Sequence, residues 1–129
     1  MTPTWVSRES VLAIHADQLA RHGGAPGIRD EARLDASLAR PRQQLAYGRP
    51  SLFELAAAYA WGIANDHPFA DGNKRTAFAV AATLLRLNGY TLEASAAEVV
   101  AVMVQLSAGQ SSEAEMASWL QQHAHELKD

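Results

Sequence analysis

The stretch His67-Pro68-Phe69-Ala70-Asp71-Gly72-Asn73-Lys74-Arg75-Thr76 decides the fold, because it interrupts what would otherwise be one long helical pattern. Ser51 to Asn65 is periodic and rich in alanine, Lys74 to Asn88 is periodic again, and Pro68 and Gly72 break the pattern between them. The stretch is therefore a loop running into a helix. The first N–H groups of a helix lack an intrahelical acceptor and sit at the positive end of its dipole, so Gly72 to Arg75 is suited to holding an anion. Gly72 permits close backbone approach and positive φ. Arg75 offers a planar fork for phosphate oxygens, and Lys74 a mobile point charge. Asp71 is a hard oxygen ligand of the kind that holds Mg2+ together with substrate phosphates. His67 carries the one side chain of the stretch whose ordinary pKa lies near neutrality, which suits it to take a proton from an attacking hydroxyl.

Outward from this loop the sequence predicts a pair of central helices. Ser51 with Glu54 makes a capping-box pattern ahead of a helix from Leu52 to about Asn65, in which Ala56, Ala57, Ala58 and Ala60 allow close approach and Phe53, Tyr59, Trp61 and Ile63 supply bulk. The helix from Asn73 to Asn88 presents Ala77, Phe78, Ala81, Leu84 and Leu85 on one face and stops at Gly89. Upstream, Met1 to Val6 is an irregular or extended lead-in, and Ser7 caps a helix to about His22 that Gly23 and Gly24 end. His15 and His22 lie seven apart with no third ligand spaced to join them, so a half-buried histidine and a helix-end histidine are expected rather than a metal site.

Gly23 to Pro50 is rich in Gly, Pro and Arg, with a short helix expected from its cap Asp30 to Arg40, closed by Pro41. Such a segment beside a catalytic helix is where a lid or a substrate-docking flap would be built; equally, Gly-Gly and Pro-Gly are simple turn formers, and Arg29 with Asp30 a surface pair of little worth. Downstream, Tyr90 to Ala94 is extended, and Ser95 with Glu98, then Ser112 with Glu115, open two further helices separated by a break at Gly109. The polar tail is expected to fray, and His123 and His125 to serve as ordinary helix-end residues. The pattern is all-α, a single domain over residues 1–129 with about six helices.

Composition narrows the function. The chain has 129 residues, 48% of them hydrophobic, enough for a core without staples, and no cysteine to form disulfides or thiolate metal sites. Arg8, Glu9, His15 and Asp17 interrupt any early apolar run, so neither a signal peptide nor a membrane span is expected and the cytosol is the default location. A formal net charge of -3 argues against DNA binding by the chain itself. There is no nucleophile elbow for a Ser-His-Asp hydrolase and no P-loop glycine pattern.

The stretch HPFADGNKRT resembles the signature of the Fic/Doc (Fido) family, and its lysine-containing form resembles the Doc, or death-on-curing, branch. The adenylylating Fic pattern reads HPFx(D/E)GNGRxxR; Lys74 stands at its second glycine and Phe78 at its second arginine, departures that Doc-like toxins share. Gly72 matches the Fic pattern, whereas the best-known Doc motif has alanine there. The run from Arg21 to Asp30 resembles the GGxPGIRD segment of Doc-like proteins, Leu87 to Tyr90 resembles the end of their motif helix, and the resemblance extends from near Thr4 to about Leu120.

The resemblance implies a Fido helical bundle, with a small flap in the region after Gly23 that pairs with an extended target peptide. It implies that His67 is the catalytic base, that Asp71 holds Mg2+, and that Gly72, Asn73, Lys74 and Arg75 bind the phosphates of ATP, with Lys74 and Arg75 also counted as catalytic. Phe69 is expected to anchor the loop in the core, and Asn73 either caps the helix, donates to phosphate, or does both. Doc toxins move the terminal phosphate of ATP onto a threonine of translation elongation factor Tu and arrest translation, while Fic enzymes transfer AMP to a hydroxyl side chain. Lysine at position 74 fills the backbone space for distal phosphates that glycine would leave, which in Doc is associated with an inverted nucleotide and γ-phosphate transfer; kinase is therefore the preferred reading and AMP transferase the alternative. A non-catalytic Fido binding module is a third reading, opposed by the presence of every catalytic position. The inhibitory pattern (S/T)xxxE(G/N) of many Fic proteins is absent, since Ser111 to Glu115 is followed by Met116. Inhibition is accordingly expected from a separate Phd-like antitoxin whose tail folds into a groove beside the site.

Overall fold

Five of the helix starts are fixed by a side chain immediately ahead of them. Ser7, Asp30, Ser51, Ser95 and Ser112 each accept a hydrogen bond from the backbone N–H three residues on, and Ser51, Ser95 and Ser112 complete full capping boxes with Glu54, Glu98 and Glu115. Each cap contributes about 1 kcal/mol to its helix. The computed structural model describes residues 2–128. Its elements are α1 (Arg8–His22), α2 (Glu31–Tyr47), α3 (Leu52–Asp66), α4 (Asn73–Leu87), β1 (Tyr90–Leu92), α5 (Ala96–Ser107), α6 (Glu113–His123) and β2 (Ala124–Glu126). The chain is thus all-α in class, a six-helix bundle among the described residues with one small antiparallel ribbon.

The hub is α3. Its residues from Leu55 to Ala60, with Ile63 and Ala64, are fully or almost fully buried, and the helix packs against α4, α2 and α6. Small side chains make this close packing possible: a Cβ on Gly62 would stand 3.3 Å from Cα of Ser37 in α2. From the facing side α4 contributes Ala77, Val80, Ala81, Leu84 and Leu85, all fully buried. Burial of each larger aliphatic side chain favours folding by roughly 1.5–3 kcal/mol. Tyr59 lies within this core, and burial pushes its hydroxyl pKa up even though it reaches the Val6 carbonyl oxygen at 3.4 Å.

Two sequence expectations are corrected. The helix expected to close at Pro41 runs on to Tyr47 with Pro41 buried inside it. The missing proline N–H is tolerated because Leu34, Ser37 and Pro41 are buried on this helix, and its packing on α3 outweighs the lost backbone bond. The tail expected to fray instead forms β2, pairing Tyr90 with Glu126, Thr91 with His125 and Leu92 with Ala124. His123 leads into it, stacked 4.0 Å from the Trp119 ring and 3.2 Å from the Glu98 carboxylate. The Trp119 carbonyl first and Glu98 second raise the His123 pKa. Met1 of the expected lead-in and Asp129 of the tail lie outside the described residues. The rest of the lead-in is non-helical, and Thr4 is held there by Asn88, whose Oδ1 accepts from the Thr4 N–H at 2.8 Å and whose Nδ2 donates to the Thr4 carbonyl at 2.9 Å. No helix among the described residues is long and apolar enough to cross a membrane.

Replacing Asn88 by alanine removes both bonds to Thr4 and should destabilise the protein by about 1–3 kcal/mol. Urea unfolding monitored by circular dichroism measures this; a midpoint equal to that of the parent would show that the strap is energetically idle.

Candidate active site

The loop between α3 and α4 is held by its own backbone. His67 ends α3 in the left-handed region, φ 49 and ψ 57, the one non-glycine residue with positive φ among those described. Pro68 keeps His67 out of the right-handed helical region and so ends α3 there, but it does not by itself select the left-handed conformation. A left-handed non-glycine residue costs about 1–2 kcal/mol, and here Arg29 offsets that cost. Its guanidinium donates from Nε at 2.9 Å and from Nη2 at 2.6 Å to the His67 carbonyl, while Arg33 Nη1 donates to the Asp66 carbonyl at 3.1 Å. Phe69 is buried, and the Asn73 side chain clasps its backbone on both sides, accepting from the Phe69 N–H and donating to the Phe69 carbonyl, each at 3.0 Å.

The segment from Gly23 to Asp30 lies along this loop. Ile28 and Phe69 form an antiparallel bridge, flanked by bonds from Ala70 N–H to the Gly27 carbonyl at 3.1 Å and from Arg29 N–H to the Pro68 carbonyl at 2.7 Å. Arg75 Nη2 donates to the Gly23 carbonyl at 3.0 Å, and the Ala25 N–H donates to Asp71 Oδ2 at 3.2 Å. Gly24 cannot carry a side chain here: its φ is 126, and a Cβ would stand 2.9 Å from Leu19 and 3.0 Å from Asp71.

Gly72, at φ 74, is the N-cap of α4 and supplies no side-chain cap. The N–H groups of Asn73, Lys74 and Arg75 consequently have no acceptor among the described residues. They open into a cavity of ≈ 300 Å³ lined by His67, Ala70, Asp71, Gly72, Asn73, Lys74 and Arg75. His67, Asp71, Lys74 and Arg75 are exposed to solvent, and neither the His67 imidazole nor the Lys74 ammonium is engaged by another described residue. Asp71 Oδ1 accepts from the Gly72 N–H at 2.9 Å. The Ala25 N–H first, then the Gly72 N–H, hold the Asp71 carboxyl below its usual pKa, with Arg75 adding a smaller contribution. A carboxylate has about four lone-pair sites, so two remain for a hard cation. Among the described residues no three His, Cys, Asp or Glu side chains are grouped to hold a metal by themselves. One carboxylate beside an anion-holding helix start fits Mg2+, which keeps its waters and shares substrate phosphates.

The structure brings together every residue the sequence placed at the site. Asn73 follows the N-cap rather than being it, and its side chain is spent on Phe69. Asp71 and Lys74 form no ion pair among the described residues. Arg29 does not pair with Asp30; it grips the His67 carbonyl, while Asp30 caps α2. Sequence reasoning missed His15, which is buried rather than half-buried and stacks on Phe69 with ring centres 3.8 Å apart. Glu115, nearest to the inhibitory pattern, is held in its own capping box by Ser112. Beside the cavity, sharing Lys74 and Arg75 with it, runs a groove of ≈ 570 Å³ whose apolar walls include Phe78, Val99, Val100, Met103 and Val104.

The core helix pair of the bundle thus places an open helix start, a histidine and a carboxylate around one cavity, an arrangement suited to holding an anion. The chain belongs to the Fic/DOC family, whose model matches residues 5–85, and its curated relatives place it on the Doc branch. It is 40% identical over 85 residues to "Protein kinase doc" of Escherichia phage P1, covering 65% of this chain and 68% of that protein. It is 44% identical over 93 residues to "Toxin Doc" of Mycolicibacterium smegmatis, covering 70% of this chain and 68% of that protein. The family match ends within α4, so α5 and α6 lie beyond it.

Because the folded pKa of Asp71 lies below its unfolded value near 3.9, its ionisation contributes stability that is present above that value and lost as pH falls through the folded pKa. Carbon-detected NMR titration should place the Asp71 midpoint below 3.9. Asp71→Asn should flatten the acid limb of the melting-temperature profile; a limb of unchanged slope would contradict the assignment.

Proposed function

We propose that this protein is a Doc-type toxin of a type II toxin-antitoxin pair, a kinase that transfers the γ-phosphate of ATP to a hydroxyl side chain of translation elongation factor Tu and so arrests translation. The observation that carries the reading is the start of α4, the one helix start without a side-chain cap among those described, opening beside the unengaged His67 and Lys74. The names of the two relatives, a protein kinase and a toxin, favour the same chemistry.

In this mechanism the N–H groups of Asn73 and Lys74 and the side chains of Lys74 and Arg75 hold the phosphates. Asp71 would hold Mg2+, which would supply charge that neutralises the phosphates. His67 accepts the proton of the target hydroxyl as its oxygen forms a bond to the γ-phosphorus in line with the departing oxygen of ADP. Lys74 occupies the place where glycine would leave room for distal phosphates, which supports γ-phosphate transfer over AMP transfer. The Ile28 bridge lies beside the cavity, where an extended target segment would be presented. The groove next to Lys74 and Arg75 suits an antitoxin tail of the Phd kind, with apolar residues toward Val100 and Met103 and an acidic group toward the two cations.

Incubating elongation factor Tu with this protein, Mg2+ and ATP should add one phosphate-sized mass, read by intact mass spectrometry. His67→Ala should slow that gain by about 10²–10⁴-fold. An AMP-sized gain would assign the Fic reaction instead, and no gain with the parent protein would remove this target.

A further inference from the structure

His15 is one of the three buried polar side chains among the described residues, at 5% exposure, and it belongs to α1 rather than to the motif. Its ring lies nearly parallel to Phe69, tilted by 9°. Its Nε2 stands 2.9 Å from the Asp71 carbonyl oxygen. A carbonyl oxygen only accepts, so this nitrogen carries the proton and donates it. One turn further along α1, Leu19 Cδ2 lies 3.2 Å from where a Cβ of Gly72 would be. Residues four apart share a helix face, so α1 sets a donor and an apolar stop side by side against the Asp71–Gly72 turn.

The Asp71 carbonyl and the Gly72 N–H belong to one planar peptide unit. Holding the carbonyl therefore fixes the direction of that N–H, which donates to Asp71 Oδ1. The carboxylate direction follows, and so does the orientation of the helix start after Gly72. We propose that His15 is a positioning residue: its Nε2–H aims the Asp71 carboxylate and the open N–H groups of α4 at the phosphates and their cation. This rests on the phosphotransfer reading of the site. A ring that merely filled space over Phe69 would make no such demand on Nε2.

Two variants separate these roles. His15→Phe keeps a ring over Phe69 and removes the donor, whereas His15→Gln restores an amide N–H of comparable reach and gives up the ring. In the protein alone, NMR should show Gly72 amide exchange about tenfold faster in His15→Phe, the worth of one ordinary hydrogen bond, with a fall in melting temperature limited by the apolar ring kept over Phe69. With ATP and target, His15→Phe should lower kcat and apparent Mg2+ affinity by about 10–100-fold, as loss of an orienting partner does, and leave KM for the target protein unchanged. His15→Gln should recover Gly72 protection and part of kcat despite a lower melting temperature. Parent-like exchange in His15→Phe, or equal losses in both variants, would overturn the proposal in favour of packing alone. If the parent transfers nothing, elongation factor Tu is removed as the target, and Gly72 exchange still decides whether His15 holds the turn.

Discussion

The structure depends on how closely α3 and α4 pack. Alanines at 56, 57, 58, 60 and 64 on one helix and at 77 and 81 on the other are fully buried, and α3 packs more extensively on α4 than on any other element. A well-packed interior resists volume changes as small as one methylene, which leaves the loop between these helices little freedom at either end. Phe69 pushes into the same core, and Asn73 ties the backbone around it. The geometry of the cavity is thus inherited from the core, and a substitution well away from the site that forced the helices apart would be felt at His67 and Asp71.

Polar satisfaction is distributed unevenly, and the unevenness singles out the start of α4. Five helix starts close upon their own caps, leaving those termini little need of a ligand, whereas α4 keeps its first N–H groups available. The opposite loop end concentrates strain: His67 is left-handed, and the Arg29 guanidinium grips its carbonyl. Strain of this kind persists only where surrounding contacts over-determine it. An imidazole held this way projects from a fixed backbone while the side chain itself stays free to meet a substrate.

Much of this was legible because the signals were local. Serine followed three residues later by glutamate marked the starts of α3, α5 and α6, and the Pro68 and Gly72 breaks framed the site. What escaped was set by partners distant along the chain. Nothing near Pro41 announces that packing on α3 will carry the helix through it, and nothing near Ala124 announces Leu92 as its strand neighbour. His15 showed the right helical spacing, yet its meeting with Phe69 and Asp71 exists only once α1 lies against the loop. Arg29 was visible as a charge beside Asp30, but its acceptor is a backbone carbonyl, which carries no side-chain identity in the sequence.

The strap between Thr4 and Asn88 has a counterpart at the other terminus, where the Leu127 N–H donates to the Gly89 carbonyl at 2.8 Å. Both ends of the described chain are therefore moored at neighbouring residues just past the C-terminus of α4, whereas the cavity sits at its N-terminus. A helix of 15 residues at 1.5 Å per residue separates the two poles by about 22 Å. An affinity tag, a fluorophore or a surface tether joined beyond Thr4 or Leu127 would leave from the pole opposite the cavity, so immobilised protein would turn that cavity toward solution.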